Sequence, residues 1–190
     1  MEADDLTSIE KDKRILRNEI SLIKKQYSTE ILGYKSDIIC KNLTDTPEFK
    51  NSARIAAYSS LPDEVQTLKL IEEWKEKKHI YLPVVEGNEM IFRKYNGANR
   101  MITGVLGIKE PDEDSEKTEI SDIDLFIVPG IAFDRNYNRT GRGKGFYDRT
   151  LSHVNKPITG LCFKFQLYDN IPANQYDIKM TKIITEDLFF

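Results

Sequence analysis

Residues 124–151 read DLFIVPGIAFDRNYNRTGRGKGFYDRTL, and the reading of this stretch decides the fold. The run Leu125 to Val128 is too short, and too rich in Ile, Val and Phe, for an amphipathic helix. It reads as a buried strand. Pro129 and Gly130 end it, and Gly141, Gly143 and Gly145 make a second break. Phe146, Tyr147 and Leu151 then take up a helical spacing. Strand, glycine-rich loop and helix together can present backbone N–H groups and a helix N-terminus to an anion. Five basic residues, Arg135, Arg139, Arg142, Lys144 and Arg149, crowd the same stretch in a chain of net charge -3. That excess needs an anionic partner, and a nucleoside triphosphate is the economical one. Neither standard phosphate motif fits. A P-loop would want Gly in place of Asn138 and Ser or Thr in place of Gly145, and a dinucleotide fingerprint would want Gly in place of Phe146. Spacing alone therefore gives a phosphate site of unspecified kind.

Upstream, Leu6, Ile9, Leu16, Ile20 and Ile23 recur at helical spacing and predict an amphipathic helix from Leu6 to Tyr27. Lys13 and Arg17 lie four apart and share one face of it. A second helix is expected over Glu30 to Asn42, and Thr46-Pro47-Glu48 marks the start of a short third one. Arg54 to Ser60 reads as a strand. The SSLPDE segment, Ser59 to Glu64, follows its carboxyl end, where open α/β sheets bind ligands. A helix is expected from Asp63 to about Lys78, with Glu64 in its first turn, where the dipole alone would favour a carboxylate. His79 to Val85 is a third strand, turned by Glu86 to Glu89 into Met90 to Tyr95. Eight acidic residues between Glu110 and Asp124 read as a solvated connector. Ile158 to Phe163 is a further buried strand, in which Gly160 allows close approach. Leu167 to Pro172 is irregular, and Ile183 to Thr185 is a short last strand.

The segment PGIAFDRNYNRTGRGKGFYDRTL resembles the signature of the 5-formyltetrahydrofolate cyclo-ligase family, also called methenyltetrahydrofolate synthetase. That signature runs PG-x-x-FD and then RLG-x-G-x-G-YYD-x-x-L. Thr140 stands where the family has Leu, and Phe146 where it has its first Tyr. The resemblance implies ATP-dependent closure of 5-formyltetrahydrofolate to 5,10-methenyltetrahydrofolate, with ADP and phosphate released and magnesium required. It also implies roles. Lys13 and Arg17 would contact ATP phosphates, and Arg139, Gly141, Arg142, Gly143, Lys144, Gly145, Phe146 and Tyr147 would form the ATP loop, with Lys144 and Arg142 catalytic. Ser59, Glu64 and Tyr147 would face the folate. Asp148 and Asp177 would hold Mg2+, although the family's second Asp four residues on is here Thr181.

Length and alternation of strands with helices predict a single domain over residues 1–190, a three-layer α/β/α fold with a mostly parallel mixed sheet and an antiparallel edge. Met1 to Glu10 holds four acidic residues and is no signal peptide, and no apolar run is long enough to span a membrane. Cys40 and Cys162, two and far apart, are expected reduced and buried in a cytoplasmic monomer. His79 and His153 are the only histidines, which leaves little room for a His-based triad or a zinc site. Two rival readings stand beside the ligase: a module binding nucleic acid or phosphate through the basic loop, and a sugar-phosphate isomerase on a related scaffold. Net negative charge, with Asp134 and Asp148 inside the basic stretch, speaks against a nucleic-acid footprint.

Overall fold

In the computed structural model residues 3–104 and 107–187 are described, with side chains from residue 7 onward. The side chain of Leu6, and Val105 and Leu106 in the segment Gly104 to Pro111, lie outside the described residues. Three helices open the chain: α1 (Ala3–Lys24), α2 (Thr29–Asp45) and α3 (Pro47–Asn51). Side chains set their limits. Ser28 accepts the Ile31 N–H at the head of α2, and Thr46 accepts the Phe49 N–H at the head of α3, whose first position is Pro47. β1 (Arg54–Ala56) leads through a long turn to α4 (Leu68–Trp74). β2 (His79–Glu86) then pairs with β3 (Glu89–Lys94) across a two-residue turn in which Gly87 takes φ 61°. The hairpin β4 (Met101–Thr103) and β5 (Lys109–Pro111) precedes β6 (Lys117–Thr118) and β7 (Leu125–Pro129). β8 (Ala132–Asp134), β9 (Arg139–Thr140), α5 (Phe146–Thr150), β10 (Ile158–Leu161), β11 (Leu167–Tyr168) and β12 (Lys182–Ile184) complete the described chain.

The central sheet has the order β12-β10-β7-β1-β2-β3-β6. Five neighbours, from β12 to β2, run parallel, while β3 and β6 add antiparallel pairings at one edge. Alternation along each strand divides the core. Leu125, Ile127, Ile55, Ile80 and Leu82 pack with Leu32, Ile39 and Leu43 of α2, Phe49 of α3 and Leu70 and Ile71 of α4. Phe126, Val128, Ala56 and Tyr81 face the other way, against Leu151, Ile178 and Met180. Burying such side chains supplies roughly 1.5–3 kcal/mol each, the main force holding the layers together. That second layer is thin, since α5 is its one helix there and irregular chain does the rest. Gly160 has the expected use: a Cβ on it would meet the Phe133 ring at 2.3 Å. α1 lies elsewhere, with Leu16 and Ile20 on Ile131, Ala132 and Ile171 beside the small sheet β11-β8-β9.

Several boundaries differ from expectation, each for a local reason. β1 stops at Ala56 instead of Ser60, because Tyr58 is drawn into the next turn, where its carbonyl accepts the Thr67 hydroxyl. α4 begins at Leu68, not Asp63. Before it the Gln66 amide donates to the carbonyls of Leu61 and Glu64, and Glu64 itself accepts the Leu61 N–H. Glu64 therefore sits in a side-chain-locked turn, away from any helix dipole. The acidic connector is only partly solvated: Asp124 accepts the N–H groups of Ala53 and Arg54, and Asp112 pairs with Arg100. Leu167 and Tyr168, expected irregular, form β11 against β8.

Candidate active site

The chain leaving β1, the end of β7 and the far half of β2 border one cavity of about 280 Å³. This is the place where an open parallel sheet exposes its carboxyl ends to a ligand. α1 and the loop between β9 and α5 complete its rim. The loop is shaped by glycine, with Gly143 at φ 91° and Gly145 at φ 66°, conformations a side chain resists. α5 itself has only five residues, so the anion-binding contribution expected from a helix N-terminus passes to the loop. Asp134, buried completely, accepts N–H groups from Asn136, Asn138 and Ile171 and fixes the turn that carries β8 into β9. It belongs to the scaffold of the loop.

Every residue expected at the site borders this cavity: Lys13, Arg17, Ser59, Glu64, Arg139, Gly141, Arg142, Gly143, Lys144, Gly145, Phe146, Tyr147, Asp148 and Asp177. Most of the charges are already paired. Lys13 donates to both oxygens of Asp177, at 2.7 and 2.6 Å. Arg17 donates to the Gly141 carbonyl at 2.8 Å and lies across Gly143. Arg139 donates to Asp148 at 3.0 Å, with its guanidinium 5.5 Å from the Tyr147 ring centre. Arg142 reaches Asp63 at 2.7 Å and Glu64 at 3.1 Å, and Lys24 reaches Asp63 at 3.0 Å. Lys144 is the exception. Exposed between two glycines, it has no carboxylate partner among the described residues. Phe146 stacks its ring against the Arg149 guanidinium and the second core cluster. Burial, reinforced by the Glu64 charge, pushes the Tyr147 hydroxyl well up, so it stays a neutral donor at ordinary pH.

The carboxylates suit a divalent cation in one respect and resist it in another. Both hydrogen bonds to Asp148, from Arg139 and from the Ile178 N–H, fall on Oδ1, which leaves Oδ2 without a donor among the described residues. Asp177 is fully engaged, by Lys13 and by the Asn174 N–H. Among the described residues no cluster of three His, Cys, Asp or Glu could hold a metal unaided. One or two carboxylates completed by substrate phosphates is how magnesium is commonly held, and that the residues do fit.

Sequence reasoning missed the apolar wall, Pro83, Val85 and Met90, and the buried residues Tyr58 and Glu110. The strand periodicity showed that these segments alternate, without showing which ends reach a ligand. Glu110 was hidden at the head of the acidic run. His79 and His153 are exposed and away from the cavity, as expected. Among the described residues no helix is long and apolar enough to cross a membrane.

Comparison with known proteins agrees with this geometry. The model of the 5-formyltetrahydrofolate cyclo-ligase family matches residues 9–186. A mouse 5-formyltetrahydrofolate cyclo-ligase is 30% identical over 190 residues, covering 92% of this chain and 94% of its own. A probable 5-formyltetrahydrofolate cyclo-ligase of Schizosaccharomyces pombe is 29% identical over 194 residues, with 92% and 95% covered. The solved 5,10-methenyltetrahydrofolate synthetase of Aquifex aeolicus superimposes with a TM-score of 0.85 at 33% identity, over 93% of this chain and 91% of that one. With the motif, the cavity and these matches in agreement, the chain belongs to the 5-formyltetrahydrofolate cyclo-ligase family.

Proposed function

We propose that this chain closes 5-formyltetrahydrofolate to 5,10-methenyltetrahydrofolate in the cavity beside its glycine loop, with conversion of ATP to ADP and phosphate. The observation that carries the reading is Lys144, a cation on that loop with no carboxylate partner among the described residues, amid cations that are otherwise engaged. The formyl oxygen on N5 is a poor leaving group, and transfer of the γ-phosphoryl group to it makes it a good one. N10 then attacks the formyl carbon and phosphate departs. Such transfer asks the protein mainly for positioning and charge, so no protein nucleophile is needed.

Lys13 and Arg17 would hold phosphates from α1. Arg139, Gly141, Arg142, Gly143, Lys144 and Gly145 would wrap the triphosphate, with Phe146 and Tyr147 packing below, and Lys144 and Arg142 would meet the transferring group. Asp148, whose Oδ2 accepts no hydrogen bond among the described residues, and Asp177 would hold a magnesium ion, which supplies positive charge against the phosphates when bound. Phosphate in the cavity would compete with Asp177 for Lys13. Ser59, Glu64 and Tyr147 would face the folate, Tyr147 as a donor. The same reading takes residues 1–190 as one domain and the protein as a cytoplasmic monomer, in keeping with two free cysteines. Mixing the protein with magnesium, ATP and 5-formyltetrahydrofolate tests the activity. Methenyl absorbance should require ATP, and ADP release should require the folate. ATP hydrolysis at full rate without folate would sink it.

A further inference from the structure

Glu110 is only 5% exposed, yet it borders the cavity from β5. Its neighbours on that side, Pro83, Val85, Met90 and Ile108, are apolar. The other carboxylates that border the cavity each have a cation against them: Glu10 and Asp177 have Lys13, Glu64 has Arg142 and Asp148 has Arg139. Glu110 has no lysine or arginine partner among the described residues, and burial pushes its carboxyl up, opposed only by a hydrogen bond with the Val85 backbone. Its place is built. A Cβ on Gly104 would stand 2.1 Å from Glu110 Oε2 and 2.2 Å from Cδ, so the bare Cα of Gly104 is what lets the carboxyl lie there. The Gly104 N–H donates to the Ile108 carbonyl at 2.8 Å and ties the end of β4 to the start of β5. A buried carboxylate without a cation weakens a fold, and such groups gather where chemistry needs them.

The second half of the reaction has such a need. As N10 attacks, an N10–C bond forms, and the bond from carbon to the phosphorylated oxygen breaks with its electron pair leaving on phosphate. The N10 proton must go to an acceptor, and the N5–CH–N10 unit that remains is a cation. Lys144 and the arginines that would stabilise phosphate oppose that new positive charge. An uncountered anion on the apolar side of the cavity would favour it.

We propose that Glu110 serves ring closure, its carboxylate accepting the N10 proton and then standing as counter-charge to the methenyl cation. The proton passes to solvent after product release. A carboxyl whose affinity for protons is raised by burial is the better base for this task. The proposal rests on the cavity being where the folate is closed, and the test separates the two.

Glu110→Gln keeps the size and removes both the acceptor and the charge. Methenyl formation should fall about 10²-fold to 10⁴-fold. In a single turnover ADP should then appear ahead of methenyl product. Titrated affinities for ATP and folate should stay within about threefold of the parent, since the loss lies in a later step. The melting temperature should hold or rise, because an uncountered buried charge has gone, an outcome opposite to that of a merely structural carboxylate. Gly104→Ala displaces the carboxyl without removing it and should give a smaller loss with the same early ADP. ADP and methenyl staying in step at a turnover within about threefold of the parent would mean that the leaving phosphate takes the proton, and would overturn the proposal. So would a loss seen wholly as weaker folate affinity. A parent chain that makes no methenyl product removes the activity and this proposal together, whereas an active parent with an equally active Glu110→Gln variant removes the proposal alone.

Discussion

The loop side of the cavity and its strand side divide their charges in the same way. On the loop side Lys13, Arg139 and Arg142 each meet a carboxylate and Arg17 meets a carbonyl, while Lys144 meets none among the described residues. On the strand side the opposite sign repeats the pattern: Glu64 is countered by Arg142, and Glu110 by no cation among the described residues. Paired groups have their positions fixed and much of their field cancelled. Unpaired ones keep their field for a substrate. The contrast separates residues whose charge also holds the fold from residues whose charge holds nothing else, and it divides what a mutation should damage.

The largest effect expected is on the paired side. Lys13→Met would strand Asp177, whose side chain is 12% exposed, without the cation that is itself 4% exposed. Breaking one partner out of a buried pair costs roughly 3–5 kcal/mol, and the Asn174 N–H that remains on Asp177 should keep the loss near the lower end. Thermal melting should show it directly, and an unchanged melting temperature would place Lys13 among the free cations. Lys144→Met should behave in the opposite manner. Turnover should fall by about 10²–10³, as for loss of one preorganised donor, with the melting point unmoved. A turnover within about threefold of the parent would take Lys144 out of the chemistry.

Smaller effects sharpen the same division. Thr140, buried in β9, carries a hydroxyl without a hydrogen-bond partner among the described residues. Thr140→Val should therefore stabilise the fold by about 1 kcal/mol and leave turnover alone. A destabilised Thr140→Val protein would show that the hydroxyl is satisfied in solution. Asp63 should give the smallest change. Burial tends to raise its pKa, but the Lys24 hydrogen bond and charge, with Arg142, outweigh it and hold it below the usual 3.8. A carboxyl depressed in the folded state stabilises the protein above its unfolded pKa, and that contribution is lost as pH falls through the folded value. The melting gap between the parent and Asp63→Asn should thus be modest and salt-sensitive at neutral pH, begin to shrink as pH falls past about 3.8, and vanish only below the depressed folded-state value. A gap that persists in acid would trace to packing instead of charge.

How much of this the chain announced depends on distance along it. The strand from Leu125, the break at Pro129 and Gly130, the glycine loop and the turn at Gly87 rest on neighbours in sequence, and the fold follows them. Local hydrogen bonds override propensity where side chains can reach back, which is why Glu64 lies in a locked turn and α4 begins late. The loop's cations were visible as residue types at a given spacing. Their partners were not, because Lys13 meets Asp177 across 164 positions and Arg142 meets Glu64 across 78.

Sequence by itself determined the class of fold and the glycine-rich, basic character of residues 139–148, since alternating apolar residues and left-handed glycines act through the local backbone. Tertiary structure alone decided which charges are spent on one another and which are left for substrate. It also brought Glu110 out of an acidic run to the cavity wall, into space that Gly104 leaves open. Pairing and burial are set by which strands become neighbours, and no local pattern carries that information.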